Sequence, residues 1–448
     1  MTKDMTSGSI PKHLVTFAIP MILGNMFQLT YNAVDAIIVG HFVGTSSLAA
    51  VGAANPIMNI IIFFIVGICM GTSVLMSEYF GANDIGKLKR EVSTSMIVGM
   101  IFTIFMSIAC FFLAEPILVI TQTPSEIIPE ANIYLKVIFS GLIFTFLYNI
   151  YSSTLRSMGD SKTPIIFLMI SSVLNIFLAI LFVVVFKMGV KGAGIATVIS
   201  QFVSCALCIV YVYIRMPILR FKRSEIVVDK TLLKDTINYS WVTALQQTCL
   251  YVGKLLIQGS VNRLGVNNIA TFNAVTRIDD FVLTPEQSIA HATTTFVAQN
   301  RGAKKRERIR KGFYAGMIIE AIYWLIVAGP VYMGSGSLMK LFVPDSGAEV
   351  IGLGVIYLES MAIFYILPGM TNGLQGYFRG MGDLKITLAS TFIQIVVRVM
   401  CSYLLAPNFG IAGIAFSCLI GWIAMLAYEI PAYFRHKKNL KLYIKRRN

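Results

Sequence analysis

The chain has 448 residues, of which 56% are hydrophobic and 13% charged, against roughly 25% charged in an ordinary soluble protein. That composition excludes a water-soluble globule. The formal charge of +15 does not point to nucleic acid either, because the Lys and Arg lie in short runs between apolar segments, the pattern of loops facing anionic lipid.

The N-terminal MTKDMTSGSIPKHL is polar and leads into an apolar segment that is too long for a signal peptide and lacks a small-residue cleavage site, so no removable leader is expected. Runs of about 20 or more apolar residues then recur along the chain, each able to cross a ~30 Å hydrocarbon core as a helix. Six spans are expected near 14–39, 48–76, 92–114, 133–155, 164–186 and 192–214. A polar linker follows at 215–235, then six more spans near 236–259, 275–298, 313–333, 351–374, 386–406 and 411–434, and a basic tail at 435–448. The eighth span is the weakest on hydropathy, since Arg277, Asp279, Asp280, Glu286 and His291 interrupt it. With the N-terminus in the cytoplasm, 29 of the 37 Lys and Arg fall on the cytoplasmic side and five opposite, with Lys254, Arg277 and Arg398 inside spans. So uneven a split supports an even span number and two cytoplasmic termini. All seven cysteines fall within apolar segments and give no disulfide framework; Cys205 and Cys208, although spaced like a redox or metal pair, have no companion pair or histidine.

The chain also repeats itself. NIYSSTLRSMGDSKTP (149–164) and NGLQGYFRGMGDLKIT (372–387) agree at six of sixteen positions, where roughly one is expected at background composition. The offset is 223; a second register, at 221, sets LAAVGAANPI (48–57) over IATFNAVTRI (269–278) and carries Gly189 and Gly192 onto Gly410 and Gly413. The expected domains are therefore an N-lobe at 1–214 and a C-lobe at 236–434, each of six helices. An even number of spans per half gives a parallel repeat about the membrane normal, an arrangement typical of carriers that rock two lobes about a central site.

These features resemble the multidrug and toxic compound extrusion (MATE) family, nearest its bacterial DinF-like branch. The resemblance rests on PMILGNMFQLTYNAVDAIIVGHFVG (20–44), the GAND turn (81–84), VAQNRGA (297–303) and the paired RxMGD turns. It implies an all-α polytopic membrane protein, with twelve transmembrane helices in two pseudo-symmetric bundles forming a V. It also implies secondary active export of bulky, mostly cationic organic compounds or drugs in exchange for protons, with sodium as the alternative coupling ion, and no cofactor. The expected setting is the bacterial cytoplasmic membrane, with membrane lipid as a partner and the carrier a monomer.

Asp35 stands in the first span with no neighbouring base. A carboxylate near mid-bilayer costs at least ~2.5 to 3.5 kcal/mol, so it belongs in a bundle interior and has a function. The resemblance places a cation-coupling acid here and recruits Asn175 and Thr197 to the same site. Where the family's pattern has a second aspartate, this chain has Ala179; one acid suits a proton better than sodium, although sodium coordination at Asp35, Asn175 and Thr197 stays open. Pro20, fifteen residues before Asp35 and so about 22 Å along one helix, removes a backbone hydrogen bond. It is expected either as a fixed kink or, by the resemblance, as a conformational switch.

The repeat sets Lys254 over Asp35 and Arg398 over Asn175, so the C-lobe carries bases where the N-lobe carries an acid. Asp279, Asp280, Glu286 and Glu359 are the acids available to neutralise them. A structural ion-pair network and a role in substrate or proton binding both stay open, with Glu286 and Glu359 the cation-attracting candidates. Gln28, Tyr31, Tyr148, Asn149 and Gln246 complete a candidate substrate surface, since aromatic and methionine-rich walls accept varied flat cations. Glu78, Glu320 and Glu429 read as span-end acids within reach of water, His291 as a hydrogen-bonded helix residue, and Arg156 with Asp160, and Arg379 with Asp383, as local pairs at cytoplasmic turns. Two rival functions are a lipid-linked sugar flippase of the wider superfamily and an intramembrane enzyme. The second lacks any HExxH, GxSxG or similar constellation.

Overall fold

In the computed structural model the described residues are 3–222, 225–343 and 347–445, with side chains excepted at 31–37, 39, 40, 45 and 439–445. Among them there is no strand. The helices are α1 (Ile10–Phe42), α2 (Thr45–Gly81), α3 (Ile85–Ile120), α4 (Ile128–Ser140), α5 (Leu142–Ser157), α6 (Lys162–Ala179) and α7 (Gly189–Arg215). They continue with α8 (Lys230–Val261), α9 (Val266–Gly302), α10 (Arg306–Lys340), α11 (Ala348–Phe364), α12 (Ile366–Met381) and α13 (Leu384–Lys445). α4 with α5 and α11 with α12 each form one span bent by 45°, and α13 is two helices joined at Gly410, whose backbone (φ 57°, ψ −135°) is not helical. Counted in this way, the helices give the twelve segments expected from the apolar runs.

By length and apolarity alone, seven helices qualify as membrane spans, or up to nine when each bent pair counts as one. α8 and α9 do not qualify. In α9 the reason is where its polar residues lie: Asp279, Glu286, Ser288, Thr293, Gln299 and Asn300 are all buried. A helix that hides its polar groups against its neighbours can cross a bilayer without scoring as apolar. α3 and α10 show the opposite face, exposing Ile101, Phe105 and Phe112, and Ile322, Leu325 and Ile326, as lipid-facing helices do.

The repeat is written into the backbone as well as the sequence. Among the described residues, left-handed backbone recurs at Gly44 and Gly265, Asn83 and Lys304, Gly159 and Gly382, and Gly189 and Gly410. These pairs are spaced by the same 221 or 223 residues that separate the sequence matches. Gly159 and Gly382 explain the glycine of RxMGD: each turns the chain at φ +84° and +79° after α5 and α12, a conformation that costs a side-chain-bearing residue and not glycine.

Two compact units result. One contains Met1–Lys3 and Leu23–Thr248, the other Asp4–Ile22 and Cys249–Asn448. α1 and α8, the first helix of each repeat, thus each contribute to both units, α1 changing over two residues after Pro20. The first unit is cored by Ile65, Leu135, Phe139, Phe146 and Ile150, the second by Val275, Tyr357, Leu358 and Ile414. The linker is not free within the first unit. Lys89 pairs with Glu225 at 3.0 Å, Arg90 with Asp229 at 3.2 Å, and Ser93 Oγ donates to Val227 O. The Lys222 amide and the Lys89 ammonium hold the half-buried Glu225 carboxyl below its ordinary range. In the second unit the N-terminal segment is tied to the α9–α10 turn. Met5 N donates to Gln299 Oε1, and Arg308 donates to the carbonyls of Met5, Ser7 and Gly8.

α2 meets α8 backbone to backbone in the first unit. A Cβ at Gly67 would lie 2.5 Å from Ala244 Cα, and one at Gly71 2.3 Å from the Tyr239 carbonyl oxygen. Backbone cannot rotate aside, so Gly71→Ala should destabilise the protein by about 1–3 kcal/mol or more through overpacking. Gly52→Ala, on the same helix with nothing within 4 Å, should be neutral. A melting temperature unchanged in Gly71→Ala relative to Gly52→Ala, measured on the detergent-solubilised protein, would contradict this contact.

Candidate functional site

In the first unit, Asn175 of α6 and Thr197 of α7 come together. Asn175 is buried, and its Nδ2 donates to Thr197 Oγ1 at 3.3 Å, while Thr197 Oγ1 donates to Ala193 O at 3.1 Å. The buried Asn175 Oδ1 has no hydrogen-bond partner, although burying a carbonyl oxygen without one costs about 1–3 kcal/mol. It is an acceptor in want of a donor or a cation.

Asp35 and Tyr31 lie in α1, but their side chains are outside the described residues. The neighbouring turn is described. Ile38, one turn beyond position 35, is buried against Ala179 of α6 and Ala196 of α7. Asn175 stands one turn before Ala179 on α6, and Thr197 follows Ala196. α1 and α6, as first and fifth spans, run in the same sense, so stepping back one turn on each brings position 35 level with Asn175. Ala179 itself is fully buried among apolar side chains, and among the described residues none takes the place of the missing second acid. Immediately after Ala179, α6 widens into a π-helical turn, Ile180–Val185. Such turns are rare and concentrate at functional sites. No signal in the sequence marks it, because apolar residues of this kind fit an α-helix equally well.

The other expected binding residues are scattered in their surroundings. Gln28 is exposed and Asn149 half-buried, its Nδ2 donating to Thr145 O at 2.8 Å. Tyr148 is buried with its hydroxyl donating to Pro164 O at 3.1 Å, which ties α5 to the start of α6. Gln246 is buried on α8. Glu359 is half-buried on α11, and His291 half-buried on α9.

The basic residues of the second unit do find acids. Lys254 pairs with Asp280 at 2.9 Å. Asp279 is buried and accepts from Tyr357 Oη at 2.9 Å and Tyr365 Oη at 2.5 Å; Arg398, with Cys418 beside it, supplies the positive charge opposite it. Glu286 takes no part in this network. It lies fully buried near Glu320 with the Asn372 amide beside it, and the Glu320 carboxylate has no hydrogen-bond partner.

Glu320 and Glu429 depart from the expectation of solvated span ends. Both are buried, Glu320 in the middle of α10 and Glu429 with Ser390 Oγ donating to it at 2.7 Å. The signal was present for Glu320: it falls seven residues into the apolar run that starts at 313. The cytoplasmic turns carry further contacts. Asp160 accepts from Thr163 N at the start of α6, Arg379 donates to Gln375 Oε1 at 3.0 Å, and Asp383 lies 2.6 Å from His436 Nε2.

Comparison with known proteins agrees with this architecture. The family model described as MatE matches residues 20–181 and again 243–404, two copies set apart by the 223 residues that separate the RxMGD turns. The probable multidrug resistance protein YpnP of Bacillus subtilis is 30% identical over 92% of this chain and 92% of its own length. A crystal structure of MATE in complex with MaL6 superposes with a TM-score of 0.92 at 23% identity, covering 98% of this chain and 100% of that one. A MOP superfamily transporter from Pyrococcus furiosus does so at 0.90 and 23%, over 98% and 99%. With one family model covering both halves of the chain and a relative at this identity along nearly all of it, the protein is a member of the MATE family of multidrug efflux transporters, a multi-pass membrane carrier and not an enzyme.

Proposed function

We propose that the protein is a proton-coupled antiporter that exports bulky, mostly cationic organic compounds by alternating access, with Asp35 as its coupling acid and both termini in the cytoplasm. The observation that carries the reading is the orphaned Asn175 Oδ1 level with position 35. A protonated carboxyl brings a donor to such an acceptor, and an ionised one does not. Protonation of Asp35 from outside therefore changes the hydrogen bonding of the site, and this change is coupled to release of the exported cation. Pro20 serves as the hinge, since α1 loses a backbone hydrogen bond there and passes from one compact unit to the other just beyond it. The name carried by YpnP supports drug-like substrates, and the carrier works as a monomer in lipid.

A potential of 100 mV supplies ~2.3 kcal/mol per net charge moved. Exchange of one proton for one monovalent cation moves no net charge, so export of such a cation draws on the pH gradient. The test is ethidium efflux from sealed vesicles under an imposed pH or sodium gradient. A pH gradient alone should drive it. Efflux driven only by sodium would make Asn175 and Thr197 sodium ligands and overturn proton coupling, and no efflux under either gradient would favour the flippase.

A further inference from the structure

Four buried acids of this protein have partners or near neighbours that explain their burial. Asp279 has two tyrosine hydroxyls and Arg398. Glu91 accepts from Ser95 and Thr236, Glu429 from Ser390, and Asp160 from Thr163. Glu286 of α9 and Glu320 of α10 are different. They are 0% and 2% exposed, Glu320 has no hydrogen-bond partner on either carboxylate oxygen, and Glu286 has only the Asn372 amide beside it.

The two acids meet over a glycine. A Cβ placed on Gly369 of α12 would stand 3.8 Å from Glu286 Oε1 and 3.8 Å from Glu320 Oε2, so both oxygens flank one small space that glycine leaves open. The groups facing the pair from the packed helices are few. Asn372 of α12 is the one hydrogen-bonding side chain that faces Glu286. Tyr323 of α10 spends its hydroxyl on Val282 O at 2.8 Å, and Tyr365, at the α11–α12 junction, donates to Asp279. His291 is five residues further along α9 and is rotated away from the pair. Among the described residues no Lys or Arg acts on either carboxylate.

We propose that Glu286 and Glu320 form a second cation-exchange site, contained in the second unit, whose ligand is an exchangeable proton. Two carboxylates that face one space in a dry interior repel each other, and with one amide and no base beside them the pair keeps one proton between them. The site then carries a single negative charge, and uptake of a second proton neutralises it. The step is a proton transfer alone: one O–H bond forms on the open carboxylate when the site loads and breaks when it unloads. Gly369 keeps the space between the oxygens free for this exchange. Its residues belong to the second unit and position 35 to the first, and the test separates the two.

Infrared difference spectra should be taken from purified full-length Asp35→Asn protein with and without Glu286→Gln and Glu320→Gln together, across pH. The carbonyl band of protonated carboxyl groups should lose the intensity of one carboxyl at high pH and of two at low pH. No loss at any pH would mean that both acids are ionised, and a loss of two at every pH that neither exchanges; each overturns the proposal. In sealed vesicles, Glu286→Gln together with Glu320→Gln, with Asp35 intact, should lower the steady-state ethidium ratio about tenfold for each unit of imposed pH, the factor contributed by a second proton per cycle beyond the one exchanged at Asp35. A ratio unchanged by the double substitution overturns a coupled role. Unimpaired efflux in Asp35→Asn alone would refute the Asp35 reading and leave this one standing.

Discussion

Asp35→Asn should abolish ethidium export driven by a pH gradient and leave the protein folded. The amide keeps the size of the carboxyl and most of its hydrogen-bonding reach but cannot exchange a proton, so only the coupling is removed. The effect should be complete because, among the described residues, no other acid accompanies Asn175 and Thr197. Ala179 lies buried among apolar side chains one turn beyond Asn175, and Thr197 already gives its proton to Ala193 O. Vesicles holding the variant should lose ethidium no faster than vesicles without protein, at equal protein content and melting temperature. Ala179→Asp is the informative companion. A second acid there adds an oxygen ligand and a charge, which suits a metal cation better than a proton, so the double-acid protein should respond to sodium where the parent does not. Residual pH-driven export in Asp35→Asn would place the coupling proton elsewhere, with Glu286 and Glu320 the first place to look.

Much of this architecture can be read from the sequence because membranes impose so few solutions. An apolar run in lipid must be a helix, since every backbone group has to be satisfied within it; the runs near 92–114 and 313–333 accordingly widen only into α3 and α10, Ile85–Ile120 and Arg306–Lys340. The repeat is legible for the same reason. Glycines and turn residues recur where the backbone must turn left-handed, and the pairs Gly189 with Gly410 and Gly159 with Gly382 adopt that backbone in both halves. What the sequence hides is which face of a helix is turned inward. Glu429 looks like a solvated acid when only its distance from the span end is considered, yet helix rotation buries it. Tyr148 looks like a drug-stacking surface, but its hydroxyl joins α5 to the start of α6. Pairing between distant residues is hidden for a similar reason. That Glu286 meets Glu320 and not Lys254 depends on the packing of α9, α10 and α12, which no local pattern encodes.

The consequence of that packing is sharpest at two adjacent residues, Asp279 and Asp280. Asp280 reaches Lys254 at 2.9 Å with both side chains more than a third exposed, at 37% and 57%, and Asp280→Ala should cost about 0–1 kcal/mol, as exposed pairs do. Asp279→Ala should cost about 3–5 kcal/mol. It leaves the Arg398 charge without its acid, and it strips the acceptor from Tyr357 and Tyr365, whose hydroxyls are buried at 0% and 1% exposure. Such a loss is a large fraction of a typical folding free energy, so Asp279→Ala should be recovered in low yield and melt early, while Asp280→Ala behaves like the parent. Much of the cost is that of an abandoned cation and not of a lost bond, so Asp279→Ala combined with Arg398→Met should melt above Asp279→Ala alone. If the second substitution lowered the melting temperature further, Arg398 would be held by other partners, and the acid and base of the second unit would not be one system.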